Sequence, residues 1–217
     1  QVIETDVQVT SDGVLVVHHD PNTARTAIKN VDIAAVTWAE LSKVKLSNGE
    51  SILSFSELLE LVGPAVYLNI DPKTDLAVPA LQKRLSNSPD LVSRICVGSF
   101  STARLQALRG SINGLYSSLG SSEFRRLVLA FVSRRKASSI RTWLAPAIAA
   151  QIPPTAFRIP LANKAFISFL QDLGLDVHFW TIDDETEMRR IYALGADAVM
   201  TDRPTILKNV LADLSER

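Results

Sequence analysis

Several features that the sequence lacks limit the class of protein to which this chain can belong. It has a single cysteine, Cys96, so no internal disulfide can form, and the apolar neighbours of Cys96 predict a buried thiol. It has no charge excess, because its 23 lysines and arginines are balanced by 23 aspartates and glutamates. That balance argues against broad affinity for nucleic acid or a membrane surface. No apolar run approaches the ~18 residues of a membrane span, and no signal peptide is visible. The sequence therefore predicts no nucleic-acid partner and no integral membrane segment.

The chain also has no low-complexity segment, long linker or break in composition, so residues 1–217 are interpreted as one domain with a sizeable core. Short apolar, β-branched runs alternate with helical patterns. The predicted strands are residues 2–8, 66–70, 94–99, 114–118, 147–152, 176–182 and 198–201. The predicted helices include residues 55–62, 76–86, 102–108, 123–144, 164–173, 185–194 and 205–214. Strand–helix alternation at this spacing predicts parallel strands joined by right-handed crossovers.

The number of predicted strands decides between two architectures. Seven parallel strands are visible, whereas an ordinary (β/α)₈ barrel has eight strands and about 250 residues. An open, doubly wound sheet of seven strands needs no further unit, but it calls for a glycine-rich phosphate-binding turn, and the sequence has none. The favoured fold is α/β, a TIM-like (β/α)₈ barrel lacking its first β-α unit in this chain, with a hairpin or loop insertion at about residues 9–54. The open sheet is the alternative.

The start of the chain holds its densest group of chemically useful side chains. Glu4 and Asp6 are two residues apart, so on a strand they point to the same side. A turn containing Gly13, which is free to adopt a positive φ, folds the chain back. Pairing of the two arms would bring His19 back beside both carboxylates. His18 and His19 point to opposite sides of the arm, so only one of them can face this site. Two carboxylates and an imidazole in one place predict a site for a hard cation with a proton-transfer group beside it.

Further polar and aromatic residues follow the other predicted strands, at the end where the active sites of such barrels lie. Asp71 is a third carboxylate, and with Glu4 and Asp6 it would form a site for Ca²⁺ or Mg²⁺. Lys73 is two residues beyond Asp71, so its side chain points to the same side of the strand. There it either binds a phosphate oxygen or forms a salt bridge with these acids. Trp180 either stacks on the apolar part of a ligand or packs in the core.

The motifs around these residues occur in the order of a known family and cover nearly the whole chain. They are Ile3-Glu4-Thr5-Asp6-Val7, Thr10-Ser11-Asp12-Gly13, Val16-Val17-His18-His19-Asp20-Pro21, Arg25-Thr26, Leu68-Asn69-Ile70-Asp71-Pro72-Lys73, Ser99-Phe100, Trp180-Thr181-Ile182 and Thr201-Asp202-Arg203-Pro204. Together they resemble the glycerophosphodiester phosphodiesterase family. The resemblance implies a TIM-like barrel and metal-dependent hydrolysis of a phosphodiester to sn-glycerol 3-phosphate and an alcohol. The implied partner is a small-molecule glycerophosphodiester or a lysophospholipid.

The resemblance also implies roles for individual residues of the predicted metal site. Glu4 and Asp6 match the family's Glu-x-Asp metal ligands. Asp71 matches a third ligand that is usually a glutamate, which is one methylene longer. Lys73 matches the lysine two residues beyond that ligand. The implied cofactor is a divalent cation, Ca²⁺ or Mg²⁺.

The remaining matches concern catalysis. His19 matches the family's second catalytic histidine, because Asp20 follows it directly, and this selects His19 over His18. Trp180 matches an aromatic residue near the substrate. One motif is absent: the family opens with a His-Arg dipeptide that supplies the other general acid/base and a phosphate ligand. It belongs to the same β-α unit that the strand count lacks, so we expect residues to precede Gln1.

Two alternative functions stay open at this point. The nearer is another phosphodiesterase on the same barrel, such as a lysophospholipase D or a phospholipase C-like enzyme. The other is a non-catalytic barrel that binds metal or phosphate. A His-Arg-Gly motif encoded upstream of Gln1 would favour the enzyme over the binding protein.

Overall fold

The chain divides into two units of secondary structure, Gln1–Gly120 and Ser121–Arg217. A computed structural model describes residues 2–144 and 146–215. The interpretation of residues 1–217 as one barrel domain, with an insertion at about residues 9–54, stays a prediction.

The described residues of the first unit form a five-stranded sheet in the order β2-β1-β3-β4-β5. The strands are β1 Val2–Val9, β2 Leu15–Val17, β3 Tyr67–Pro72, β4 Ile95–Val97 and β5 Tyr116–Ser117. β2 pairs antiparallel with β1, and the other neighbours are parallel. The predicted hairpin is therefore confirmed, and Gly13 has the expected positive φ, 83°. In the register of β1 and β3, Asp6 lies opposite Asp71, so strand pairing alone brings two predicted site residues together.

Helices follow these strands as the alternating pattern predicts. In the first unit they are a 3₁₀ turn at Ile33–Ala35, α1 Trp38–Leu41, α2 Phe55–Val62, α3 Ala77–Ser86, α4 Pro89–Val92 and α5 Thr102–Ser111. The start of α2 is fixed by a capping box. The Ser54 hydroxyl accepts the Glu57 N–H at 3.2 Å, and the Glu57 carboxylate accepts the Ser54 N–H at 2.7 Å.

The described apolar residues of the first unit pack into two clusters. The larger joins the sheet to α2, α3 and α5, and it includes the fully buried Phe55, Ile70, Leu81 and Leu105. The smaller belongs to the segment between β1 and α2 and consists of Val16, Val31, Ile33, Leu41, Val44 and Ile52. Burial of each such side chain contributes ~1.5–3 kcal/mol. The segment predicted as an insertion thus has its own small core.

The described residues of the second unit form a parallel sheet in the order β10-β9-β6 and an antiparallel pair, β7-β8. The strands are β6 Ala149–Ile152, β7 Thr155–Ala156, β8 Ile159–Pro160, β9 Asp176–Phe179 and β10 Ala198–Val199. The helices are α6 Ser121–Val132, α7 Ala137–Arg141, α8 Lys164–Asp172, α9 Glu185–Ala193 and α10 Pro204–Ser215. Asn163 and Asp184 cap α8 and α9, because each side chain accepts an N–H from the first turn, both at 2.9 Å.

The predicted strands, and all the predicted helices but one, lie within a few residues of their predicted bounds. Within each unit the β-α-β connections join parallel strands, as predicted. In the stretches 2–144 and 146–215, no helix has both the length and the apolar character needed to cross a bilayer.

The single helix predicted over residues 123–144 is wrong, because α6 and α7 are separate. Arg134 adopts a left-handed φ of 52°, and its N–H donates to the Phe131 carbonyl at 3.0 Å. The next N–H, from Arg135, donates to the Ala130 carbonyl at 2.9 Å. These two bonds form a Schellman motif, which usually has glycine at the left-handed position. The sequence does not signal this break, because arginine rather than glycine ends the helix.

Replacing Arg134 with glycine will therefore stabilise the protein. A left-handed conformation costs an L-residue about 1–2 kcal/mol, and glycine avoids this cost. About half of the resulting gain in stability is lost, because glycine makes the unfolded chain more flexible. We expect thermal denaturation to show a rise in Tm of about 1–4 °C. Arg135→Gly is the matched control, and it should leave Tm unchanged or lower it. Equal effects of the two variants would contradict this account of the break.

Candidate active site

A lysine joins two carboxylates at the carboxyl ends of β1 and β3. Lys73 Nζ lies 2.8 Å from Asp6 Oδ1 and 2.8 Å from Asp71 Oδ2. Only 12% of the Asp71 side chain and 19% of each of the other two is exposed to solvent. Burial by itself lowers the pKa of Lys73, but hydrogen bonds and charge from Asp6 and Asp71 outweigh burial and raise that pKa overall. Lys73 therefore remains an ammonium ion at neutral pH, as the salt-bridge alternative predicts.

Backbone pairing and an arginine hold Lys73 in this position. The Lys73 N–H donates to the Val7 carbonyl at 3.0 Å, which continues the pairing of β1 with β3. Arg104 on α5 donates to the carbonyls of Pro72 at 3.1 Å and Lys73 at 2.8 Å. Its Nε also donates to the Asp75 carboxylate at 2.6 Å. Sequence reasoning missed Arg104, because no local pattern connects a helical arginine to the end of a distant strand.

Asp71 has an oxygen suited to a cation. Oδ2 accepts the Lys73 hydrogen bond, whereas the buried Oδ1 has no hydrogen-bond partner among residues 2–144 and 146–215. A buried carboxylate oxygen without a partner carries a desolvation cost of at least ~1–3 kcal/mol. Carboxylate oxygens are the ligands that Ca²⁺ and Mg²⁺ prefer. Asp6 brings a second carboxylate to the same edge, so this donor set fits a hard divalent cation.

The third predicted ligand, Glu4, is exposed on β1 and lies two residues before Asp6, opposite the buried Asn69 of β3. Among the described His, Cys, Asp and Glu side chains, no group of three stands close enough to hold a metal ion together. The structure thus joins Asp6 and Asp71 through Lys73, while Glu4, Asp6 and Asp71 as a complete ligand set stay a prediction.

The predicted catalytic histidine belongs to a second polar cluster. His19 has 59% of its side chain exposed, and its Nδ1 lies 2.6 Å from Asp20 Oδ1. Arg25 Nε donates to the other oxygen, Asp20 Oδ2, at 2.8 Å. Hydrogen bonds from Arg25 and then His19 lower the pKa of Asp20 to about 2. Asp20 is therefore an anion at neutral pH, and its contact with Nδ1 leaves Nε2 of His19 to exchange a proton with a ligand.

The neighbouring histidine has a structural position instead. His18 is buried, with Nδ1 2.8 Å from the Asp20 carbonyl and Nε2 2.8 Å from the Thr26 hydroxyl. Both ring nitrogens are engaged within the protein. His19 is thus more accessible to a ligand than His18, and its catalytic role stays a prediction.

The hairpin of β1 and β2 connects the two clusters. The His18 N–H donates to the Asp6 carbonyl at 3.1 Å, which extends the strand pairing by one residue. The Gln8 side chain donates to the His19 carbonyl at 2.9 Å. A backbone hydrogen bond and a Gln8 side-chain bond therefore tie the segment of His18 and His19 to β1.

In the second unit, Trp180 follows β9 and is half-buried. Its backbone N–H donates to the Ile152 carbonyl at 3.1 Å. Asp183 accepts hydrogen bonds from the Thr201 hydroxyl at 2.7 Å and the Asp202 N–H at 2.9 Å. These bonds join the segments that follow β9 and β10, so the Thr-Asp motif has a structural task that the sequence did not reveal. The role of Trp180 at a substrate stays a prediction.

Acidic and basic side chains at the carboxyl ends of parallel strands are typical of the active sites of α/β enzymes, barrels among them. The model of the Glycerophosphoryl diester phosphodiesterase family matches residues 1–206. The chain therefore belongs to this family.

Three similar proteins illustrate the match. "Probable glycerophosphodiester phosphodiesterase 2" of Mycobacterium tuberculosis is 29% identical over 212 residues, which cover 96% of this chain and 78% of that protein. The crystal structure of an Agrobacterium tumefaciens glycerophosphodiester phosphodiesterase has a TM-score of 0.76 at 22% identity, covering 97% of this chain and 86% of that one. An Oleispira antarctica phosphodiesterase, solved in complex with the product sn-glycerol-3-phosphate, has a TM-score of 0.74 at 21% identity. This match covers 98% of this chain and 85% of that one.

These similarities confirm the suspected family, the α/β fold of TIM-barrel type and the prediction that the protein is a glycerophosphodiester phosphodiesterase, a hydrolase of phosphoric diesters. The alternative of a non-catalytic binding barrel is not favoured by them. A missing first β-α unit and the metal requirement both stay predictions.

Proposed function

We propose that the protein hydrolyses small deacylated phospholipids, glycerophosphodiesters, to sn-glycerol 3-phosphate and an alcohol, with Ca²⁺ or Mg²⁺ as cofactor. The observation that carries this proposal is the mostly buried Asp6–Lys73–Asp71 cluster with its unpartnered Asp71 oxygen. The product bound to the Oleispira antarctica relative supports sn-glycerol 3-phosphate as the product here.

The acidic residues and Lys73 divide the work on the phosphate. Glu4, Asp6 and Asp71 would hold the cation, which when bound supplies Lewis-acid polarisation of the phosphoryl oxygens and lowers the pKa of a nucleophilic hydroxyl or water. Lys73 binds a phosphoryl oxygen as a point charge. It thereby stabilises the negative charge that accumulates in the transition state.

His19 transfers the proton that the leaving group needs. The nucleophile gives its proton to the second acid/base group that the family motif implies, and its oxygen bonds to phosphorus. As the bond from phosphorus to the alcohol oxygen breaks, the protonated Nε2 of His19 gives its proton to that oxygen. Asp20 accepts the Nδ1–H, which restricts the orientation of the ring and leaves Nε2 for the leaving oxygen. Trp180 packs against the apolar part of the substrate.

The test is an assay of the protein at its full encoded length on glycerophosphocholine, with and without EDTA. We expect sn-glycerol 3-phosphate and choline as products. We also expect a loss of activity in EDTA of at least about 100-fold, with recovery in Ca²⁺ or Mg²⁺. Undiminished activity in the chelator would refute the metal requirement.

The same assay distinguishes the proposed activity from the nearer alternative, another phosphodiesterase on the same barrel. A phospholipase C-like enzyme releases phosphocholine, because it breaks the phosphorus bond to the glycerol oxygen. A lysophospholipase D releases choline from lysophosphatidylcholine. Preference for glycerophosphocholine over lysophosphatidylcholine, with sn-glycerol 3-phosphate as product, supports the proposal.

A further inference from the structure

We propose that Arg25 is a positioning residue for His19 and acts through Asp20. The proposal rests on the proposed function in one respect, since it takes His19 as the group that transfers the proton. It assigns a task to an arginine that the sequence alone identifies only as part of the Arg25-Thr26 motif.

The contacts form a chain of three residues. Asp20 Oδ1 lies 2.6 Å from His19 Nδ1, and Asp20 Oδ2 lies 2.8 Å from Arg25 Nε. The terminal torsion of an aspartate is broad, so a single hydrogen bond does not fix the carboxylate plane. A second bond from Arg25 to the opposite oxygen removes that freedom. Because 59% of the His19 side chain is exposed, the Asp20 carboxylate is its main source of orientation.

A buried ring sets the spacing between Asp20 and Arg25. His18 Nδ1 contacts the Asp20 carbonyl, and His18 Nε2 contacts the hydroxyl of Thr26, the residue after Arg25. The backbone of Asp20 and the residue that follows Arg25 are therefore both held by one imidazole that is 8% exposed. The fully buried Thr23 braces the same loop, since its carbonyl accepts the Thr26 N–H at 3.1 Å.

Two roles of Arg25, positioning of the His19–Asp20 pair and direct binding of substrate phosphate, predict different kinetic effects. With 67% of its side chain exposed, Arg25 contributes little to overall stability as an ion-pair partner. If it orients the His19–Asp20 pair, its loss lowers kcat, because a displaced proton donor reaches the leaving oxygen less often. If it binds substrate phosphate directly, its loss raises KM instead.

The kinetic experiment compares variants of the full-length protein on glycerophosphocholine. We expect Arg25→Ala to lower kcat about tenfold with KM changed less than about twofold. Arg25→Lys should recover part of that loss, because an ammonium also reaches the carboxylate. Asp20→Asn should cost more, about 10²–10⁴-fold in kcat, since an amide no longer selects the Nδ1–H form of the ring. Lys29→Ala removes an equal charge from the same loop and serves as control.

A spectroscopic readout makes the test independent of catalysis. Nitrogen-15 shifts of His19 in its neutral form should report mainly the Nδ1–H tautomer in the unmodified protein and a mixture of tautomers in Arg25→Ala. If the protein shows no phosphodiesterase activity but this shift appears, the proposed function fails and the positioning inference stands. An unchanged tautomer with unchanged kcat, or a rise in KM alone, overturns the inference.

Discussion

Replacing Lys73 with methionine will destabilise the protein by about 2–4 kcal/mol in EDTA, because Asp6 and Asp71 are left as neighbouring carboxylates with little solvent. The pKa of Lys73 is raised in the folded protein, so its stabilising effect is complete below the ordinary lysine pKa and is lost only as the pH rises through the folded value. Urea denaturation at pH 7 therefore measures the full effect. Activity should fall about 10²–10³-fold, as for the loss of a transition-state charge partner.

Divalent cations should reverse much of this destabilisation. A cation at the two carboxylates supplies the positive charge that the Lys73→Met variant has lost, so millimolar Ca²⁺ or Mg²⁺ should raise its Tm more than that of the unmodified protein. Lys43→Met, at an exposed lysine of the same unit, is the control and should change stability by less than about 0.5 kcal/mol. Equal stability of Lys73→Met and the unmodified protein would contradict the cluster, and no response to either cation would contradict the metal site.

Replacing His19 with glutamine will lower kcat by about 10²–10⁴-fold, because the amide has the size of the ring but no acid or base function. Stability should change little, since the His19 ring lies mostly in solvent. Steady-state kinetics together with a thermal melt check both statements. Retention of more than about a tenth of the activity would show that another group transfers the proton.

His18→Gln is the natural comparison, because the two histidines are adjacent and differ in environment. The buried His18 ring bridges Asp20 and Thr26, so its loss leaves buried polar groups unpaired and should cost about 1–3 kcal/mol of stability. Activity per folded molecule should stay within several-fold of the unmodified protein. The reverse result, with activity lost at His18 and stability at His19, would exchange the two roles.

Much of this site follows from the sequence, because its signals are local. The two-residue period of a strand puts Glu4 and Asp6 on one side, and the glycine turn returns the chain to His19. Alternation of strands and helices makes the strands parallel, which brings their carboxyl ends to one edge. The match of His19-Asp20 to the family motif distinguishes His19 from His18, and in the structure the His18 ring is buried.

Other parts could not be predicted, because they depend on which atoms meet after distant segments pack. The register that places Asp6 opposite Asp71 is a property of two strands, and no pattern within either strand specifies it. The helix break at Arg134 lacks the glycine that usually announces a left-handed residue. The support that Arg104 gives to the Lys73 backbone joins a helix to the end of a strand.

The sequence by itself determined the class of fold, the family and the side chains available for chemistry, since periodicity and motif order are written along the chain. Only the tertiary structure decided how those side chains are paired. It put Lys73 between two carboxylates, left Asp71 Oδ1 without a partner in the described residues and joined Arg25 to His19 through Asp20. The physical reason is that hydrogen bonds and ion pairs act over about 3 Å, a scale set by packing and strand register rather than by sequence spacing.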